Sequence, residues 1–197
     1  LARRLKAIII CMCLSCSVVI AESSQIILND WERLCSNSVA DHLVWKQAIK
    51  SDNGAKYHIG SKLTGPACSY KEKQLGLSFL LEAAKAHHEK ALYTVGILLL
   101  DVSKDEEEDS YALAHLKKSA ELGYFPAQSL LGAILLARAK SKIQQNEAID
   151  WLERAAFSGE IEAALTLHRG FAYGLHFIEK NQCEARFWLN FLHHIDK

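Results

Sequence analysis

Small residues recur in this chain at one fixed interval. Ala48, Ala84, Ala120 and Ala156 are each 36 residues apart, and Ala55, Ala91, Ala127 and Ala163 form a second row at the same spacing. Gly60, Gly96 and Gly132 make a third row, which breaks at His168. A period of this length is that of a helix pair stacked on copies of itself, because each pair buries its apolar face only against the next. The fold class expected is therefore all-α: an α/α solenoid of about four stacked helix-pair repeats. Two prolines in 197 residues and no strand-like run of β-branched residues agree with it.

The register can be followed residue by residue. Phe79-Leu80, His115-Leu116 and Trp151-Leu152 are each followed by alanine four positions after the leucine, at Ala84, Ala120 and Ala156. Residues four apart share one helix face, so this is the buried stripe of one helix, termed helix B. Gly123 and Gly159 then supply the left-handed position that ends it. Helix A of the next unit keeps the same spacing in Ala91, Val95 and Leu99, in Ala127, Leu131 and Leu135, and in Ala163, Leu167 and Phe171. Small residues on both helices allow close approach, with Gly96 and Gly132 extending the seam.

Helix B segments are expected near 38–50, 70–86, 109–122, 145–158 and 181–193, and helix A segments near 54–64, 88–100, 125–138 and 161–174. The last interval is 37, since Trp151 corresponds to Trp188 and Ala148 to Ala185. Between helices A and B, residues 101–109 form an acidic segment and 138–142 a basic one, both read as solvated loops, with opposite-sign contact patches as the sharper reading.

The first 21 residues stand outside the repeat. Arg3, Arg4 and Lys6 precede an uncharged apolar run from Ala7 to Ile20, closed by Ala21 before Glu22. That is the layout of a secretory signal peptide, and the run falls short of the ~20 residues needed to span a bilayer. A retained anchor is the plain alternative. A lipoprotein site at Cys16 is a third, with Cys13 standing where leucine is usual. The chain begins with Leu1, which suggests an alternative start codon or a clipped upstream end. The expected organisation is a signal peptide at 1–21, a capping segment at 22–37 and repeats over 38–197.

Export would remove Cys11, Cys13 and Cys16 and leave Cys35, Cys68 and Cys183. Cys35 and Cys68 precede helices of neighbouring repeats and form a candidate disulfide in an oxidising compartment. Stacked helices lie about 8–10 Å apart, wider than the ~5.5 Å between bridged Cα atoms, so the loops must close the gap. Cys183 is left as an odd thiol, read as packed.

The balance of 23 basic and 23 acidic residues gives no global field toward nucleic acid or an anionic membrane. His87-His88-Glu89 lacks the second histidine of a zincin helix, and adjacent histidines there and at His193-His194 point to different faces. No phosphate loop, nucleophile elbow or paired-cysteine zinc signature occurs. No metal or cofactor is implied. His168, in the glycine row, reads as a packing histidine or the mark of a widened pocket. A Cys183 pairing with His168 or His176 has nothing to orient it.

At this point the residues resemble a known family. Trp151-Leu152-Glu153-Arg154-Ala155-Ala156 through Gly159, then Ala163 and Arg169-Gly170-Phe171-Ala172-Tyr173-Gly174, look like the SEL-1-like repeat. The resemblance covers about residues 39–192 and is strongest over 109–190. The glycine-rich turn usual between helices A and B is missing from 101–109 and 138–145, and the first two units are degenerate. Tetratricopeptide repeats have a period of 34, which does not fit. The resemblance implies an α/α solenoid that acts as an adaptor for protein assemblies, and many bacterial members are exported. Cysteine-rich relatives carry one disulfide per repeat; this chain lacks that spacing, so activities of that branch do not transfer.

The leading function is an exported, non-catalytic scaffold, periplasmic or secreted. It takes a protein or peptide partner and no nucleic acid, and keeps no stable membrane span after signal cleavage. In such folds helix A faces line a concave groove. Outward positions there are Tyr93, Ser129 and Leu165, then Ile97, Ala133 and Arg169, of which Tyr93, Ile97, Ser129 and Arg169 are the contact candidates. A cell-envelope or cell-wall enzyme is the second class, and an oligomeric structural or chaperone-like envelope component the third.

Overall fold

In a computed structural model, residue 48, residues 50–102, 106–175 and 178–195 are described. The expected signal peptide, capping segment, Cys35 and nearly all of the first helix B (38–50) lie outside them.

Eight helices occur among the described residues: α1 (Asn53–Leu63), α2 (Tyr70–Lys85), α3 (Glu89–Val102), α4 (Glu106–Glu121), α5 (Phe125–Arg138), α6 (Lys142–Phe157), α7 (Ile161–Tyr173) and α8 (Gln182–Ile195). Odd-numbered helices are the expected A helices and even-numbered ones the B helices. The chain forms two compact units that divide within α4, at His115 and Leu116.

Two boundaries differ from the sequence reading. Glu106 to Asp109 are not loop but the first turn of α4. Helix α6 begins at Lys142, three residues before the expected start, and with Arg138 ending α5 the loop between them is residues 139–141. Ser141 caps α6, its hydroxyl accepting from the Gln144 amide at 3.3 Å.

Helix B ends the same way three times. The amides of His87, Gly123 and Gly159 bond to the carbonyls of Ala84, Ala120 and Ala156. Those of His88, Tyr124 and Glu160 reach back to Ala83, Ser119 and Ala155. This is the Schellman motif, which needs a left-handed residue at C′. Gly123 and Gly159 adopt it at φ 89° and 96°, and His87 stands in the same position at φ 60°. Helix A then begins at the next residue or the one after, so the motif fixes the turn from B to A.

In the first unit, α1 packs on α2 and α2 on α3. Ile59, Leu63, Leu75 and Phe79 form one apolar cluster; Leu80, Ala84, Ala91, Val95, Leu99 and Ala112 form a second. Lys56 and Glu82 pair at 2.8 Å across α1 and α2, with the lysine only 12% exposed. In the second unit α5, α6, α7 and α8 pack in sequence, and Leu136, Ala148, Leu152, Ala156, Ala163, Leu167 and Trp188 share one core.

The glycine row explains how closely A and B approach. A methyl group on Gly60 would lie 2.8 Å from the Gly76 carbonyl oxygen and 2.8 Å from Leu80 Cγ. One on Gly132 would lie 2.8 Å from Leu152 Cγ and 3.0 Å from the Ala148 carbonyl oxygen. Gly76, Ala112 and Ala148 are themselves 36 apart, and Ala185 follows after 37. Gly60 and Gly132 therefore each meet a small helix B residue, Gly76 and Ala148. In the last pair His168 replaces the glycine and its Nδ1 lies 2.8 Å from the Ala185 carbonyl oxygen. The imidazole donates to the carbonyl that elsewhere faces a glycine, so it fills the seam as a packing group.

Candidate functional site

Helix A has a buried side and an outward side, set by its spacing. On α5, Ala127, Gln128, Leu131, Gly132 and Leu136 are buried. Pro126, Ser129, Leu130 and Ala133 are half-buried and Ala137 is exposed. On α7, Ala163, Ala164, Leu167 and Gly170 are buried, whereas Leu165 is half-buried and Arg169 and Tyr173 are exposed. Because positions four apart stack on one face, Ser129, Ala133 and Ala137 make one outward row, and Leu165, Arg169 and Tyr173 make another. The helices α5 and α7 touch directly.

The two rows differ in relief and charge. The α5 row ends in Cβ methyls or a hydroxyl, while the α7 row carries three long side chains. Large apolar groups flank the face: Phe125 is 40% exposed, Ile161 44% and Tyr173 65%. No charged side chain belongs to Pro126, Ser129, Leu130, Ala133 or Ala137. Arg169 is exposed, and among the described residues it has no ion-pair partner. The other charge on the outward side of α7 is Glu162, seven residues away and so about 10.5 Å along the axis.

The four candidate contacts thus fall into two sets. Ser129 and Arg169 stand on touching helices of the second unit. Tyr93 and Ile97 stand one turn apart on α3 in the first; Ile97 is exposed, and Tyr93 is half-buried with a further interaction of its own.

Three further histidines serve local structure. The His88 ring accepts from the Ala91 amide at 3.3 Å, capping α3, and stacks on Tyr57 with centroids 5.0 Å apart. The His115 and His194 rings donate to the Tyr111 and Asn190 carbonyls, at 3.1 and 2.8 Å. Among the described residues no group of three His, Cys, Asp or Glu side chains is placed to hold a metal ion. Cys68 is disulfide-bonded; Cys35, its expected partner, lies outside the described residues. Cys183, expected as a packed thiol, is instead free and exposed at the start of α8. Of its two candidate partners, His168 has its Nδ1 proton committed to a backbone carbonyl, and His176 lies outside the described residues. No helix among those described is long and apolar enough to cross a membrane.

Two features escaped the sequence reading. Burial raises the Glu153 carboxyl above its ordinary value, and the neighbouring carboxylates of Asp150 and Glu184 add to the effect. Asp150 was legible three residues away on one helix, whereas Glu184 comes from α8. Gln128 is buried and its amide nitrogen donates to the Ala120 carbonyl at 3.1 Å, tying α5 to the end of α4. An isolated glutamine on an apolar face carried no signal for that bond.

No protein-family model and no curated protein matches the sequence. The fold is similar to that of a protective antigen present in uropathogenic Escherichia coli strains and displaying an SLR fold. The TM-score is 0.66 and the identity 25%, over 80% of this chain and 33% of that one. It is also similar to a Sel1 repeat protein from Oxalobacter formigenes, with TM-score 0.65 and 21% identity, over 81% of this chain and 66% of that one. This chain spans about a third of the first relative's length and 66% of the second's.

Proposed function

We propose that this chain, a SEL-1-like repeat protein by fold, is an exported, non-catalytic scaffold that holds a protein or peptide on the outward face of its A helices. Repeats of this fold generally mediate protein–protein interaction without catalysis. The observation that carries the reading is the outward side of the touching helices α5 and α7, which bears small residues, exposed aromatic and aliphatic groups and an arginine with no ion-pair partner among the described residues. Tyrosine and arginine supply much of the binding energy at interfaces, and an open apolar surface with a few polar groups is what a partner covers. Export rests on the basic, apolar and small-residue layout of residues 1–21. The likeness to a protein described as a protective antigen is in keeping with it.

Affinity capture with the tagged chain tests the face. Ala133→Arg places a long cation on the outward side without touching the buried seam. Partners retained by the native chain and lost by this variant, with helicity unchanged by circular dichroism, are the expected result. Equal capture by both would falsify the assignment of the face. Fractionation of cells expressing the chain, with N-terminal sequencing, is expected to recover an exported form beginning at Glu22.

A further inference from the structure

We infer that the partner segment held by the α5–α7 face is an apolar peptide with a carboxylate, seated with its apolar side chains over Ala133 and Ala137 and its carboxylate on Arg169. The inference rests on the reading of that face as the binding surface and adds the chemistry of the occupant.

Charge complementarity decides that chemistry. Arg169 is exposed on the central turn of the α7 row and has no ion-pair partner among the described residues. Its neighbours in the two rows, Ser129, Ala133, Ala137, Leu165 and Tyr173, carry no charge. A partner covering these groups removes water from the guanidinium. An arginine desolvated without an acceptor is costly, whereas one meeting a carboxylate forms short, paired hydrogen bonds. A neutral or basic segment would leave the charge uncompensated. Ser129 and the Tyr173 hydroxyl add neutral hydrogen-bonding capacity at the edges.

Relief decides the rest. Alanines 133 and 137 carry only methyl groups, whereas Leu165, Arg169 and Tyr173 on the touching helix α7 carry long side chains, a difference in size that suits an apolar side chain lodged over the alanines. Apolar groups at Phe125 and Ile161, 40% and 44% exposed, extend the contact toward the N-terminal ends of both helices. A macromolecule recognised mainly by its own phosphates would meet one cation on this face and Glu162 nearby, which is a poor match.

A random peptide library displayed on phage and panned against the full chain tests this, with enriched peptides resynthesised and their binding read by fluorescence anisotropy. The expected enriched sequences place an aspartate, a glutamate or the free C-terminal carboxylate beside apolar residues. Arg169→Glu should weaken such a peptide by about tenfold or more, since hydrogen bonds to charged groups contribute roughly 1.5–3 kcal/mol. Replacing the peptide's carboxylate residue by lysine should restore binding to that variant alone, which a merely structural role for Arg169 would not produce. Peptides lost on Ala133→Arg but indifferent to Arg169→Glu would overturn the carboxylate and leave the binding face standing. Enriched peptides that survive both changes, or no enrichment at all, would count against both readings.

Discussion

Gly132 and His168 occupy equivalent positions and solve one problem in opposite ways. At Gly132 the backbone of α6 comes so close that a methyl group would meet the Ala148 carbonyl oxygen at 3.0 Å and Leu152 Cγ at 2.8 Å. The oxygen belongs to a helix and moves only if the whole element shifts. Gly132→Ala is therefore expected to destabilise by about 1–3 kcal/mol through overpacking, although alanine favours an isolated helix by about 1 kcal/mol. Urea unfolding followed by circular dichroism measures it, and an unchanged or raised midpoint would show that the seam can open. His168 instead fills the gap and donates to the Ala185 carbonyl. The break in the glycine row was visible in the sequence, but the carbonyl that satisfies the imidazole was not, because it lies on a different helix after the 37-residue interval.

At the scale of the element, the turn from helix B to helix A is set by one left-handed residue. Gly123 has nothing within 4 Å of where a Cβ would stand, so substitution there tests backbone conformation alone. Gly123→Ala should cost about 1 kcal/mol: the left-handed penalty of roughly 1–2 kcal/mol, partly offset by a less flexible unfolded chain. His87→Gly, at the matching position of the preceding repeat, should change stability in the opposite direction by a few tenths to about 1 kcal/mol. Thermal unfolding of both variants checks the pair, and changes of the same sign would refute a shared Schellman turn. The expected helix segments match α1 to α8 to within three residues or fewer at each end. The largest misses were the starts of α4 and α6, where acidic residues and a serine cap were read as loop. Ser141 and Gln144 carried the capping signal three residues apart, so that start was legible. Helix α8 departs from the pattern in another way. It carries Arg186, Leu192 and His193 where α6 has Ile149, Ala155 and Ala156, and Leu189 is 40% exposed where Leu152 is fully buried. The small-residue row that lets another helix approach is not repeated there.

For the whole molecule, the repeat fixes how stability is distributed. A chain with one continuous core loses protection everywhere when that core is damaged. Stacked pairs interact with their neighbours, so damage stays local. Leu80 and Leu152 are equivalent, 72 residues apart, both fully buried, and belong to separate clusters in separate units. Their equivalence was plain in the sequence, but which residues cluster around each was not, since that depends on side chains from three helices at once. Leu80→Ala and Leu152→Ala should each cost about 2–5 kcal/mol of local stability. Amide hydrogen exchange read by mass spectrometry distinguishes the two architectures. Leu80→Ala is expected to speed exchange in α1 to α3 and spare α7 and α8, and Leu152→Ala to do so in α5 to α8 and spare α1 and α2. Uniform loss of protection along the chain in either variant would mean that the units unfold as one body, and that the 36-residue period sets the packing without dividing the stability.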